Sequence, residues 1–390
     1  MPNFDSTKLS RRSLLAQAGT TALGAGLLAA CAPVAAPAAP PAAPAPPAAT
    51  RASWENEWDS LVIAAKREGK LALITYLGEN FREAVKGFET AFPGITVEHT
   101  GLNSGQWVPR VQRERDAGLY NFDVMTSTWA IVPRAIAEKG GMAPIKQILF
   151  RGDVLDDKVW LGGFERGFLD KNEKWVYAGF IDRSEAVWIN SDLVKEGEIT
   201  KVEDLLDPKW KGKMISLDPR SQGGVIVNAT VLRHAYGSDI IKRLWKDQEV
   251  VLMRDHRQMT EHLIRGRYAV GIGGVLRPVL QDFLNEGLGR NVKRVDMDNV
   301  DAVTGGVNIV GAFDRAPHPA AAKLFINWLL TKEGATIWSK HALTNSRRVD
   351  VPPMVAHTAV DPSRKFPQAD AADFTAELAK TQELTQAMLN

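Results

Sequence analysis

Residues 213–236, KMISLDPRSQGGVIVNATVLRHAY, constrain the fold more than any other part of the chain. The apolar run Met214 to Leu217 stops at Asp218-Pro219, crosses a polar turn and resumes at Val225 with apolar residues at helical spacing. This pattern predicts a strand, a loop and a helix in direct succession. At such a junction the first N–H groups of the helix lack intrahelical partners and the helix dipole presents its positive end. The turn Arg220, Ser221, Gln222, Gly223 and Gly224 therefore suits an anion, although the same pattern also makes an ordinary connection.

The unit recurs upstream. A helix with Trp54, Trp58, Leu61, Val62 and Ala65 on one face ends at Gly69, and LALITYLG then reads as a buried strand finishing in Tyr76, Gly78, Glu79 and Asn80. ITVEHTGL finishes in Asn103, Ser104, Gly105, Gln106 and Trp107. FDVMTS finishes in Thr126, Ser127, Thr128 and Trp129 before a helix over residues 131–138. Three strand–helix units with short polar ends predict an α/β fold with an open, mostly parallel sheet covered on both faces. Ligands of such sheets sit beyond the carboxyl ends of the strands, so Tyr76 to Asn80, Ser104 to Gln106 and Thr126 to Trp129 share one rim.

A strand-rich stretch at residues 174–194 and the 213–236 unit lead to RYAVGIGG, which ends in the Gly273-Gly274 turn. The following helix carries Arg277 and has Pro278 in its first turn. GGVNIVGAF then returns the chain to the first unit. Leaving out the first 53 residues, roughly 340 remain, more than a single core commonly supports. The division predicted is 54–185 for a first lobe, 186–302 for a second and 303–390 for the return to the first lobe with C-terminal helices. The residues after Asp350 either wrap the first lobe or hang free, and their last helix, from Ala371 to Leu389, has enough apolar positions to dock.

The N-terminus sets the compartment. Ser10-Arg11-Arg12-Ser13-Leu14-Leu15 precedes an uncharged run of small and apolar residues to Leu28-Ala29-Ala30-Cys31. A charged region, an apolar region and small residues mark residues 1–30 as an export signal, and the paired arginines resemble a twin-arginine signal. The run is too rich in Gly, Ala and Thr to predict a permanent membrane helix. Leu-Ala-Ala-Cys resembles the lipobox of bacterial lipoproteins, which implies lipidation of Cys31 and a place in the periplasm or on the outer face of the cytoplasmic membrane. Cys31 is the only cysteine, so no internal disulfide forms. Residues 31–53 are dominated by Ala and Pro and read as a tether, extended by about 3.1 Å per residue where polyproline-like.

Composition and motifs narrow the function. The net charge is +2 with both signs interspersed, and no basic patch is interleaved with aromatics, which argues against a nucleic-acid partner. There is no G-x-S-x-G elbow, and Lys211-Gly212-Lys213-Met214 lacks the hydroxyl and glycine spacing of a phosphate-binding loop. Gly271 and Gly273 start a dinucleotide-like pattern that Leu276 breaks. His256 and His262, six positions apart, make no metal pair on a helix and read as a solvated face. No catalysis, cofactor or resident metal is predicted.

Residues 189–194 (INSDLV), 203–219 (EDLLDPKWKGKMISLDP) and 318–338 (HPAAAKLFINWLLTKEGATIW) resemble the extracellular solute-binding proteins of ABC importers, in the group around ferric-iron, thiamine, polyamine and phosphonate uptake. The resemblance runs from about Trp54 to Asp350. It implies a type II periplasmic binding protein fold, a monomer of two lobes joined by crossing strands that close on a ligand and present it to a permease. Ferric-binding members place two adjacent tyrosines where this chain has Leu276-Arg277, and none of its five tyrosines adjoins another. Arg220 and Arg277 then point to an anionic or zwitterionic organic solute held by guanidinium, with Tyr76 and Trp129 as an aromatic wall. Two alternatives stay open: a chelate-assisted ferric site without paired tyrosines, and a receptor module that signals to a membrane kinase.

Overall fold

Twelve strands among the described residues are shared between two five-stranded sheets and a two-stranded ribbon. The computed structural model describes residues 53–129, 136–170, 175–220, 224–297 and 300–389, all within the unit Arg51–Asn390. In chain order the strands are β1 (Lys70–Thr75), β2 (Thr96–Gly101), β3 (Val124–Ser127), β4 (Val176–Tyr177), β5 (Asp182–Arg183), β6 (Val187–Asn190), β7 (Met214–Leu217), β8 (Val251–Met253), β9 (Val270–Ile272), β10 (Val292–Val295), β11 (Val303–Thr304) and β12 (Ile309–Ala312). The longer helices are α1 (Ser53–Glu68), α2 (Glu79–Ala91), α3 (Ser104–Asp116), α4 (Gly224–Tyr236), α5 (His256–Ile264), α6 (Arg277–Asn285), α7 (Pro319–Leu329), α8 (Lys332–Ala342) and α9 (Ala372–Leu389). The helix expected at 131–138 falls largely on residues outside those described.

The first sheet has the order β2-β1-β3-β12-β4 and the second β10-β6-β9-β7-β8. Each contains two parallel and two antiparallel junctions, so the mostly parallel sheet expected from the strand–helix units is a mixed one. The cause is the crossing. β12 comes back from the second lobe and inserts between β3 and β4 against their direction, while β6 enters the second sheet antiparallel to β9. The crossing strands β5 and β11 pair antiparallel as the ribbon between the sheets.

β1 is buried on both faces, which is why LALIT reads as a continuous apolar run rather than an alternating one. Its lobe packs α7 and α8 against α1 and α2, with Phe88 5.1 Å from Phe325 and 5.3 Å from Trp328, ring centre to ring centre. A separate core surrounds Trp188, Trp210, Trp245 and Met259 in the second lobe. α9 departs from the expectation that the chain after Asp350 wraps the first lobe or hangs free, because Leu378, Leu384 and Met388 pack on the second-lobe core. It lies along α4 in the second lobe, where Arg233 pairs with Glu377 and donates to Thr381 at 2.9 Å.

Candidate functional site

At the rim of the first lobe, the strand ends bring three hydroxyls together. Asn103 caps α3 by accepting from Gln106 N at 3.1 Å, and this holds Ser104 at the first turn. Ser104 Oγ then lies 2.8 Å from Thr128 Oγ1 and 3.2 Å from Ser127 Oγ, and Trp107 Nε1 donates to Ser127 Oγ at 3.0 Å. Ser104 and Thr128 are half-buried, at the boundary between core and solvent. Gly105 continues the same helix turn. Thr126, one position earlier, is fully buried and its hydroxyl has no hydrogen-bond partner among the described residues.

At the end of β1, Thr75 Oγ1 donates to Tyr76 O and sits 2.6 Å from His99 Nε2. Burial, aided by Arg82, holds the His99 imidazole below its ordinary pKa, while burial raises the Tyr76 phenol. His99 is a rim residue that sequence reasoning misses; its alternation within ITVEHTGL shows its face of the strand but not its neighbour. Gly78 stands at the N-cap of α2 with φ 135°, and Glu79 beside it is exposed and paired with Arg82 at 3.2 Å. Trp129 departs from the expected role: at 1% exposure it belongs to the core with Leu102 and Trp107, so it makes no wall for a solute here.

The second rim is built around Asp218. β7 delivers this carboxylate 4% exposed, and it accepts from Arg220 N, Nε and Nη2 at 3.0, 2.8 and 2.9 Å. The bond from Arg220 holds the Asp218 carboxyl below its ordinary range. Arg220 is thus not the free fixed charge expected of this turn. α9 also reaches it: Arg220 Nη1 donates to Leu389 O at 3.3 Å, Gln382 Nε2 to Arg220 O at 3.0 Å and Thr385 Oγ1 to Pro219 O at 3.2 Å. A cation beside the last carbonyls of a helix is favoured by the helix dipole. Ser221, Gln222 and Gly223 lie outside the described residues.

The Gly273-Gly274 turn abuts the start of α4. Both glycines have positive φ, and a Cβ on Gly274 would come 2.5 Å from Leu217 Cγ, so no larger residue fits without displacing the core. His256 also departs from the solvated face expected of it: its Nδ1 lies 2.6 Å from Gly274 O and braces the turn.

Arg277 opens α6 and faces the ribbon. Its Nη2 is 3.0 Å from Asp182 Oδ2, its Nε 3.0 Å from Glu185 Oε2 and its Nη1 3.3 Å from Thr358 Oγ1. Burial opposes the charge, yet the two carboxylates outweigh it and raise its pKa. Asp182 further accepts from Thr344 Oγ1 at 2.6 Å, Asn345 Nδ2 at 2.8 Å and Thr358 Oγ1 at 2.9 Å. Arg277 is therefore charge-compensated, contrary to the expectation of an uncommitted cation. The acidic partners are visible in FIDRSE, but periodicity does not say which cation a carboxylate meets.

A depression of about 510 Å³ lined by Trp58, Phe92, Arg151, Trp328 and Lys332 lies beside the C-terminal end of α2, and none of the strand-end residues above lines it. Among the described residues no group of three or more His, Cys, Asp or Glu is arranged to hold a metal ion.

The sequence profile described as bacterial extracellular solute-binding protein matches residues 72–336. Iron-bound HitA from Pseudomonas aeruginosa shares the fold at 15% identity and TM-score 0.61, over 82% of this chain and 99% of that one. The Trichodesmium protein IdiA (FutA), in complex with iron and citrate, does so at 17% identity and TM-score 0.60, over 82% and 99%. The substrate-binding protein of an ABC transporter from Agrobacterium tumefaciens aligns at 16% identity and TM-score 0.62, over 82% and 94%. No curated protein sequence matches the chain.

Proposed function

This chain belongs to the bacterial extracellular solute-binding protein family, and from that premise we propose that it captures a small zwitterionic or anionic organic solute between its lobes and hands it to an ABC permease. The observation that carries the reading is the Ser104–Ser127–Thr128 hydroxyl cluster at the strand ends of the first lobe, beside the N-terminus of α3. Hydroxyls and helix N-termini bind neutral and anionic oxygens, and closure of the lobes over them strengthens each bond by removing water.

The state of the arginines refines the solute class. Arg220 with Asp218, and Arg277 with Asp182 and Glu185, offer a guanidinium and a carboxylate side by side. Such pairs match a solute that carries both an acid group and an ammonium better than they match a simple anion. Gly273, Gly274, Tyr76, Gly78 and Glu79 complete the proposed rim. Affinity arises from binding alone, with no chemistry performed on the solute.

Iron is bound in HitA and in the Trichodesmium protein, which share this fold, but adjacent tyrosines are absent here: Tyr177 is in the first-lobe core with its hydroxyl on Phe164 O, and Tyr120 stacks with Arg315. With export by a twin-arginine signal and lipidation at Cys31, the protein works on the outer face of the membrane.

A thermal-shift screen of amino acids, betaines, aminophosphonates and simple carboxylates tests the proposal. A ligand bound only by the folded state raises the melting point. Zwitterions are expected to raise it more than matched anions. A uniform lack of response, or colour developing only with ferric citrate, would overturn the organic-solute reading.

A further inference from the structure

The C-terminal segment connects the lobes in addition to β5 and β11. It leaves the first-lobe core at Val351 and ends as α9 on the second-lobe core. Between these points it is fastened beside the ribbon. Thr358, fully buried, donates from Oγ1 to Asp182 Oδ1 at 2.9 Å and accepts from Arg277 Nη1 at 3.3 Å. One position earlier, His357 O accepts from Arg183 Nη2 at 3.0 Å and from Arg294 Nη1 at 3.3 Å, and the His357 ring lies 2.9 Å, through Nε2, from Glu185 Oε1. Val355 is held by an amide pair: its N donates to Asn345 Oδ1 at 2.8 Å, and Asn345 Nδ2 donates to its carbonyl at 2.9 Å.

These contacts draw on both lobes. Thr344 and Asn345, which also donate to Asp182, follow α8 of the first lobe, whereas Arg277 opens α6 and Arg294 lies in β10, both of the second. Asp182 itself stands in the ribbon. Swinging α6 and β10 away from the first lobe therefore strains bonds to this segment as well as bending the ribbon, and a buried bond to a charged group is costly to leave unmade. Farther along, residues 361–365 are exposed, and the chain rejoins the ribbon at Pro367 and Ala369.

We propose that the C-terminal segment is a strap that restrains the hinge: fastened through Thr358 to Asp182 and Arg277, it holds the lobes in their present arrangement and must come away from Asp182 before they swing apart. The restraint acts whichever solute the cleft takes.

Hydrogen exchange tests the strap with no ligand added. In Thr358→Val, which removes the hydroxyl and keeps the side-chain shape, the ribbon amides of Val303 and Ala369 are expected to exchange about tenfold faster, the equivalent of one hydrogen bond to a charged acceptor, while the core amides of β1 and β9 keep their wild-type rates. The radius of gyration in small-angle scattering should rise with it, and Thr358→Ser should restore both. Wild-type exchange at the ribbon of the valine variant, or equal acceleration in ribbon and cores, overturns the restraint. Should the valine variant not fold, exchange of the wild type in low urea decides: residues 355–358 and the ribbon opening together, at less urea than the cores, support the strap, and their opening separately overturns it.

Discussion

Arg277 is held between Asp182 and Glu185, whose side chains are only 9% and 11% exposed. Removing the cation strands both acids, and breaking a buried pair from one side costs about 3–5 kcal/mol. Arg277→Ala is therefore expected to lower stability by about 3 kcal/mol, read as a fall in the urea midpoint. Arg277→Lys keeps the charge but loses the fork that reaches two carboxylates at once, and should fall between. A wild-type midpoint for the alanine variant would mean that the network does not support the fold, and would restore Arg277 as a residue kept for the solute alone. At the other rim, Arg220 is accessible enough to exchange partners, so a solute acid group meets less resistance there.

At the scale of the element, the ribbon gains a third member. Val303 N donates to Pro367 O and Ala369 N to Val303 O, both at 2.8 Å, so the C-terminal segment joins β11. Asp370 fastens this join by accepting from Gly305 N at 2.7 Å, Thr304 Oγ1 at 3.0 Å and Gln368 Nε2 at 3.2 Å. Burial nevertheless pushes its carboxyl up to about 6, against the pull of those bonds. The unfolded carboxyl titrates near about 4, so between these values the native state holds the proton more tightly. The stability contributed by this group is full below about pH 4 and is lost as the pH rises through about 6. Asp301, pushed up to about 6 by burial against Arg294 and Arg183, acts in the same window. Stability should thus decline between about pH 4 and about pH 6, and Asp370→Asn should flatten part of that decline, by up to about 3 kcal/mol, in urea melts at about pH 4 and about pH 7. An unchanged slope in the variant would show that Asp370 is ionised throughout.

For the whole molecule, two separate cores are linked by β5 and β11, of two residues each, and by the C-terminal segment that leaves the first lobe near Val351 and ends as α9 on the second. Thin links between rigid cores are the structural basis of hinge closure. Thr358 and Asn345, both bonded to Asp182, hold the C-terminal segment against the hinge, so it should limit how far the lobes swing. A solute that raises the melting point is expected also to reduce the radius of gyration in small-angle scattering. Stabilisation with an unchanged radius would mean capture without closure.

The strand ends of the first lobe are legible in the sequence because period and turn chemistry are local: LALITYLG, the Asn103–Gln106 cap and the hydroxyls after FDVMTS need only their neighbours in sequence to take shape. The two-lobed α/β class follows from the repetition of that unit and from the chain's length. The compensation of Arg277 is not legible: it meets Asp182 across 95 positions, and a long-range ion pair leaves no periodic trace in either segment. Arg220 is different, for its carboxylate partner Asp218 lies two positions away, and only its bond to the Leu389 carbonyl spans 169. The sequence by itself determined the strand–turn–helix units, the two cores and the polar rim of the first lobe. Only the tertiary structure decided that Arg277 is compensated by Asp182 and Glu185, that Trp129 is core and that α9 rests on the second lobe, because those outcomes depend on which distant surfaces bury one another.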